Sequence, residues 1–168
     1  MSSFHVLIIG AGLGGLALAS ALTRNGIRCT VFERDAKPRD RLQGYRIVVR
    51  NEPNVNVYAL DVLRQLLPDD LQAKLFSMAG DAGSSATGTD QNLNVKNVFQ
   101  LPGESFSLGR MALRETLLDS LNENIMKFGK KFMSYEERND KIIAKFENGE
   151  EVEGDLLVAA DVSFLLTK

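Results

Sequence analysis

The chain has 168 residues, 44% of them apolar and 25% charged, a balance that suits one globular domain with a buried core. Twenty basic against twenty-two acidic side chains leave a net charge of -2, and no Lys/Arg run tracks a phosphate backbone or an anionic bilayer, so nucleic acid and membrane surfaces are not expected partners. A single cysteine, Cys29, and a single histidine, His5, exclude an internal disulfide and a His/Cys zinc site, and make a cytoplasmic location the expectation.

The first element to interpret is Val6 to Leu22, VLIIGAGLGGLALASAL, an uncharged block near the N-terminus. A secretory signal requires a basic stretch ahead of it, and Met1 to His5 contains no Lys or Arg. A membrane span requires about twenty apolar residues, and four glycines within the block make a poor isolated helix. A folded reading fits better. His5–Ile9 is a short apolar run with the pattern of a strand buried in a parallel sheet, followed by a glycine turn. Gly10-Ala11-Gly12-Leu13-Gly14-Gly15 matches G-x-G-x-x-G, and Leu13 to Arg24 continues as a helix packed through Leu16, Ala19, Ser20 and Thr23. Asn25-Gly26 ends that helix, and Arg28 to Glu33 is a second strand ending in an acid.

Residues 4–34 therefore form a β-α-β nucleotide-binding unit. Gly10 permits the tight turn, Gly12 lets a diphosphate approach the backbone, and Gly15 allows the helix to close on the strand. The free amides and the positive end of the helix dipole hold the diphosphate, while Glu33 accepts hydrogen bonds from an adenosine ribose. An acid at that position disfavours a 2′-phosphate and selects FAD or NAD over NADP as the tightly held ligand.

Beyond Glu33 comes a polar connection, AKPRDRLQ, then a strand-like Gly44 to Val49, then the helical ALDVLRQLLP. Gly80 to Asn94 is small and polar and reads as a mobile loop. Met111 to Asn122 carries Leu113, Leu117, Leu118 and Leu121 on one stripe of a helix whose first turn holds Arg110, where an anion such as a dinucleotide phosphate favours the guanidinium. Arg114, one turn later, reads as a surface charge. Phe132 to Glu153, with turns at Asn139-Asp140 and Asn148-Gly149, is a three-stranded antiparallel meander laid against the parallel sheet, and Asp155 to Ala160 returns as a buried strand.

VLIIGAGLGGLALASAL, the VFER that follows, QGYRIVV with ALDVLRQLLP behind it, and SLGRMALRETLLDSL together resemble the FAD-dependent monooxygenases of the para-hydroxybenzoate hydroxylase type. The resemblance covers nearly the whole chain. It implies an α/β, Rossmann-like FAD-binding domain, a parallel sheet joined by the antiparallel meander, in which Gly44 passes beside the cofactor and Arg110 touches it. It also implies an Asp-Gly pair near the flavin, where this chain has Asp161-Val162. In that family NADPH or NADH transiently reduces FAD, and the reduced flavin uses O₂ to hydroxylate or epoxidise a small organic substrate. The family continues well beyond residue 168, so the expectation is one FAD-binding domain over 1–168, without the substrate domain and C-terminal flavin segment and inactive alone. A partner chain or the C-terminal half would complete it, and Phe164-Leu165-Leu166 would need a cover. No residue is expected to act as acid, base, nucleophile or metal ligand, because the cofactor carries the chemistry. Two alternatives stand: an NAD-binding dehydrogenase domain, and a non-catalytic dinucleotide-binding remnant.

Overall fold

A computed structural model describes residues 4–40, 44–51, 59–81, 83, 85–100 and 103–161; Val162 and the Phe164-Leu165-Leu166 tail lie outside the described residues. In chain order the elements are β1 (His5–Ile9), α1 (Leu13–Arg24), β2 (Arg28–Phe32), β3 (Arg46–Arg50), α2 (Ala59–Leu66), α3 (Asp69–Ser77), β4 (Gly80–Asp81), β5 (Ser85–Thr89), β6 (Val95–Gln100), β7 (Ser105–Gly109), α4 (Arg110–Asp119), a 3-10 turn (Glu123–Ile125), β8 (Met126–Lys127), β9 (Phe132–Arg138), β10 (Lys141–Phe146), β11 (Glu151–Gly154) and β12 (Leu156–Ala159). The chain divides into two compact units, Met1–Gln43 with Leu113–Lys168, and Gly44–Ala112.

The first unit holds a parallel sheet in the order β12-β1-β2-β8. All five residues of β1 are buried, as a continuous apolar run in a central parallel strand requires. α1 packs through Gly15, Leu16, Ala19 and Ser20. The meander forms as expected, in the order β11-β10-β9, with Asn139 and Asp140 at φ of 53° and 59° and Gly149 at 81°, the positive-φ turns that short hairpins need. Its apolar face closes on the parallel sheet. Leu7, Ile9 and Phe32 meet Ala144 and Phe146, with Phe132, Val152 and Leu157 around them, and the Phe32 and Phe146 rings stand 4.7 Å apart. Gly154 lets Leu7 fit, since a Cβ there would lie 2.6 Å from Leu7 Cγ.

One expectation for this unit needs correction. β12 is not a buried strand but the sheet edge, with Leu156 47% exposed. An apolar run does not encode whether a strand gains one neighbour or two. The sheet also recruits β8, too short to show a period, through Val31↔Met126 and Phe32↔Lys127.

The start of β1 is tied by side chains. The His5 amide donates to Asp155 Oδ2 at 2.8 Å, Lys141 Nζ pairs with Asp155, and the buried His5 ring shares a proton with Thr30 Oγ1 at 2.9 Å. Burial first, and the nearby Arg28 charge second, hold the imidazole pKa below its ordinary value, against weaker upward pulls from Glu153 and Asp155. The folded chain thus prefers neutral His5. That contribution to stability is present above the unfolded value of 6.5 and is lost as pH falls through the lower folded value. Because His5 is the only histidine, one imidazole resonance in a proton NMR titration reads this directly. We expect a midpoint below 6.5; a midpoint at or above it would contradict the buried, neutral ring.

In the second unit β3, β7 and β4 form an antiparallel sheet in that order. Val49, Phe106 and Leu108 share one of its faces, and the Phe76 ring of α3 packs on Phe106 with centroids 5.0 Å apart and the planes tilted by 49°. Leu60, Leu63, Leu66 and Leu75 supply the buried stripes of α2 and α3. Within Gly80 to Asn94, expected as a mobile loop, lie β4 and β5, and β5 pairs with β6 as an antiparallel hairpin. Polar composition misled here because the polar groups close the turn. Asp90 Oδ1 accepts from the amides of Asn92 and Asn94 at 2.9 and 3.0 Å, and Lys96 pairs with Asp90 at 3.2 Å.

Candidate dinucleotide site

The turn between β1 and α1 shows three different demands on glycine. Gly10 takes a φ of +104°, and the place a Cβ would occupy lies 3.1 Å from the Asp161 amide nitrogen. At Gly15 a Cβ would sit 2.1 Å from the Gly10 carbonyl oxygen, so only hydrogen allows the helix to close on the strand. Gly12 is different: its φ is -73°, which any residue adopts, and among the described residues nothing beyond its chain neighbours lies within 4 Å of its Cβ position. Gly14 is equally open. Gly12 is the N-cap of α1, without a side-chain cap and without an acid in the first turn. A helix start without a side-chain cap, backed by the positive end of the dipole and with no described residue crowding Gly12 or Gly14, fits a bound anion.

Glu33 follows β2 and is buried, 9% exposed. Its carboxylate turns back under the glycine turn, where Oε2 accepts the Ala11 amide at 2.8 Å and Oε1 accepts the Asp35 amide at 3.0 Å. Each oxygen keeps a second lone pair, so acceptor capacity for a hydroxyl donor remains. Gly10, Gly12, Gly15, Glu33 and Asp161 thus gather at one end of the parallel sheet of the first unit.

Arg114 corrects the reading of it as a surface charge. Its Nε donates to the Ala11 carbonyl at 2.9 Å and its Nη1 to the Pro38 carbonyl, so the side chain is half-buried against the turn. Next to it Glu115 holds Arg39 Nε at 2.6 Å. A helical offset of four residues from Arg110 was the available signal, since i and i+4 share a face.

The second unit brings Gly44 and Arg110 together. Gly44 has φ +69°, Arg110 Cδ passes 2.7 Å from its Cβ position, and the Arg110 amide donates to the Tyr45 carbonyl at 3.2 Å. Arg46, to which sequence reasoning assigned no part, donates from Nε to Ser107 Oγ and from Nη2 to the Ser107 carbonyl, at 2.7 and 2.6 Å. Alternation along β3 was the only signal for it, because residue 46 shares a face with the residue opposite Ser107.

Among the described residues no group of three His, Cys, Asp or Glu could hold a metal ion, and no helix is long and apolar enough to cross a membrane. Cys29 is buried, which pushes its thiol pKa up and leaves it a packing residue.

A family model described as an NAD(P)-binding Rossmann-like domain matches residues 8–63. The FAD-dependent monooxygenase nscC of Trichophyton equinum is 32% identical over 168 residues, covering 93% of this chain and 89% of the relative. The FAD-dependent monooxygenase thnD of Trichoderma harzianum is 33% identical over 171 residues, covering 94% of this chain but 38% of the relative. Of solved structures, one described as a FAD-containing monooxygenase from Photorhabdus luminescens superposes with a TM-score of 0.80 at 30% identity, over 96% of this chain and 40% of that one. The chain spans 36 to 38% of the length of several curated relatives it matches.

Proposed function

Because this chain belongs to the FAD-dependent monooxygenase family, we propose that its glycine turn binds FAD and that it serves as the FAD-binding portion of an enzyme that uses NADPH or NADH and O₂ to oxygenate a small organic substrate. The observation that carries the reading is the uncapped start of α1, open in front of Gly12 and Gly14, with a buried carboxylate beneath it.

In this reading the amides of the first turn of α1 hold the diphosphate, and Glu33 accepts from the adenosine ribose. Gly10 and Gly15 shape the turn, while the placement of Gly44 and Arg110 beside the cofactor, and of Asp161 near the flavin, follows the family resemblance. When bound, FAD supplies the electron transfer and O₂ chemistry; the protein binds it, orients it and limits water around it. None of this chain's side chains is assigned to acid, base or nucleophilic work. The buried, unpaired Cys29 thiol suits the reducing cytoplasm, which we take as the location.

The test is equilibrium titration of the purified chain with FAD, followed by flavin absorbance and fluorescence, with NADH in parallel. We expect saturable FAD uptake with a perturbed flavin spectrum and weaker, separable NADH binding. A folded chain indifferent to FAD that binds NADH tightly would overturn the FAD reading and favour a dehydrogenase-type domain, for which the match of residues 8–63 to an NAD(P)-binding model is the supporting observation.

A further inference from the structure

The two peptide planes at the tip of the glycine turn are each gripped by a charged side chain. Ala11 is completely buried; its N–H donates to Glu33 Oε2 at 2.8 Å, and its carbonyl accepts from Arg114 Nε at 2.9 Å. The second bond matters for Gly12. The Ala11 carbonyl and the Gly12 N–H belong to one trans peptide, so they point in opposite directions, and whatever holds the carbonyl aims the amide. Arg114 reaches that carbonyl from α4 and is itself anchored by the Pro38 carbonyl. A planar guanidinium with two of its five donors engaged on separate carbonyls has little freedom to swing. It also covers the negative end of the Ala11 peptide dipole, which would otherwise oppose an arriving phosphate.

We propose that Arg114 is a positioning residue of the dinucleotide site: by holding the Ala11 carbonyl it sets the direction of the Gly12 N–H and readies the turn for a diphosphate. This inference rests on the dinucleotide reading above. It assigns Arg114 no contact with the cofactor, since it acts through the Ala11–Gly12 peptide.

The test compares wild type, Arg114→Met and Arg114→Lys for binding of FAD, ADP and adenosine, and records the amide NMR spectrum of each ligand-free chain. Loss of charge-assisted orientation in Arg114→Met is expected to weaken FAD and ADP at least about tenfold while adenosine, which lacks phosphate, changes less than about twofold. Arg114→Lys keeps the positive charge and a donor group but loses the planar fork that spans two carbonyls, and is expected to lose about threefold for ADP. Should Arg114→Met fail to fold, the Lys variant carries the comparison. In the ligand-free spectra the Gly12 cross-peak is expected to move in both variants while that of Gly26, at the far end of α1, stays. Equal weakening of ADP and adenosine, unchanged ADP affinity, or an unmoved Gly12 cross-peak would each overturn the proposal. If wild type binds neither FAD nor ADP, the cofactor reading fails, and the phosphate role of Arg114 falls with it whatever the spectra show. If wild type binds both and the variants match it, only the Arg114 proposal fails.

Discussion

Gly15→Ala is expected to destabilise the chain by at least about 3 kcal/mol, because an added methyl meets backbone rather than a side chain that can rotate away. The Cβ would lie 2.1 Å from the Gly10 carbonyl oxygen and 3.2 Å from Ala160 Cβ. Relief requires α1 to lift from β1, and that pulls Leu16 and Ala19, both fully buried, out of contact. Gly10 cannot yield either, since its own φ of +104° is enforced by the turn and its amide donates to the Phe32 carbonyl at 2.8 Å. For a chain of this length such a loss lowers the thermal midpoint by roughly 6 to 12 °C. Melting followed by far-ultraviolet circular dichroism checks it. A midpoint within about 1 °C of wild type would mean that the helix does not approach the strand this closely.

Gly12→Val is expected to do the reverse, sparing the fold and removing the ligand. The backbone at residue 12 is extended and, among the described residues, no atom beyond its chain neighbours lies within 4 Å of the Cβ position, so the fold has room for the isopropyl group. A poorer N-cap residue costs at most about 1 kcal/mol. The branched side chain stands in the open space before the first turn of α1, and the diphosphate loses several backbone donors together. At about 1.5 kcal/mol or more for each charge-assisted bond, FAD affinity should drop by at least about 100-fold. Calorimetric titration with FAD measures this, and the melting curve of the same sample shows the fold intact. Undiminished affinity in a folded Gly12→Val chain would move the diphosphate away from this turn. The two variants, three residues apart in one motif, therefore separate the structural glycine from the binding one.

Much of this was legible in local pattern. The unbroken apolar run of His5–Ile9, the glycine turn, the helix stop at Asn25-Gly26 and the Asn148-Gly149 hairpin are all recovered within a few residues. Period and turn chemistry are properties of neighbouring residues, so a linear reading reaches them. The misses share a different cause. β12 reads as a core strand and is the sheet edge, β8 is too short to have a period, and 80–94 reads as loop yet holds β5, which pairs into a hairpin with β6. Arg114 reads as solvated and binds the Ala11 carbonyl 103 positions away.

The sequence by itself determined which segments are strands and helices in the nucleotide unit and meander, because φ preferences, hydrophobic period and turn geometry act over a few bonds. Only the tertiary structure decided strand order, the division into two units, and the grip of Glu33 and Arg114 on the two faces of Ala11. Those depend on which distant groups meet once the chain is closed, and a half-buried charge finds its partner by proximity in space, which no local pattern encodes.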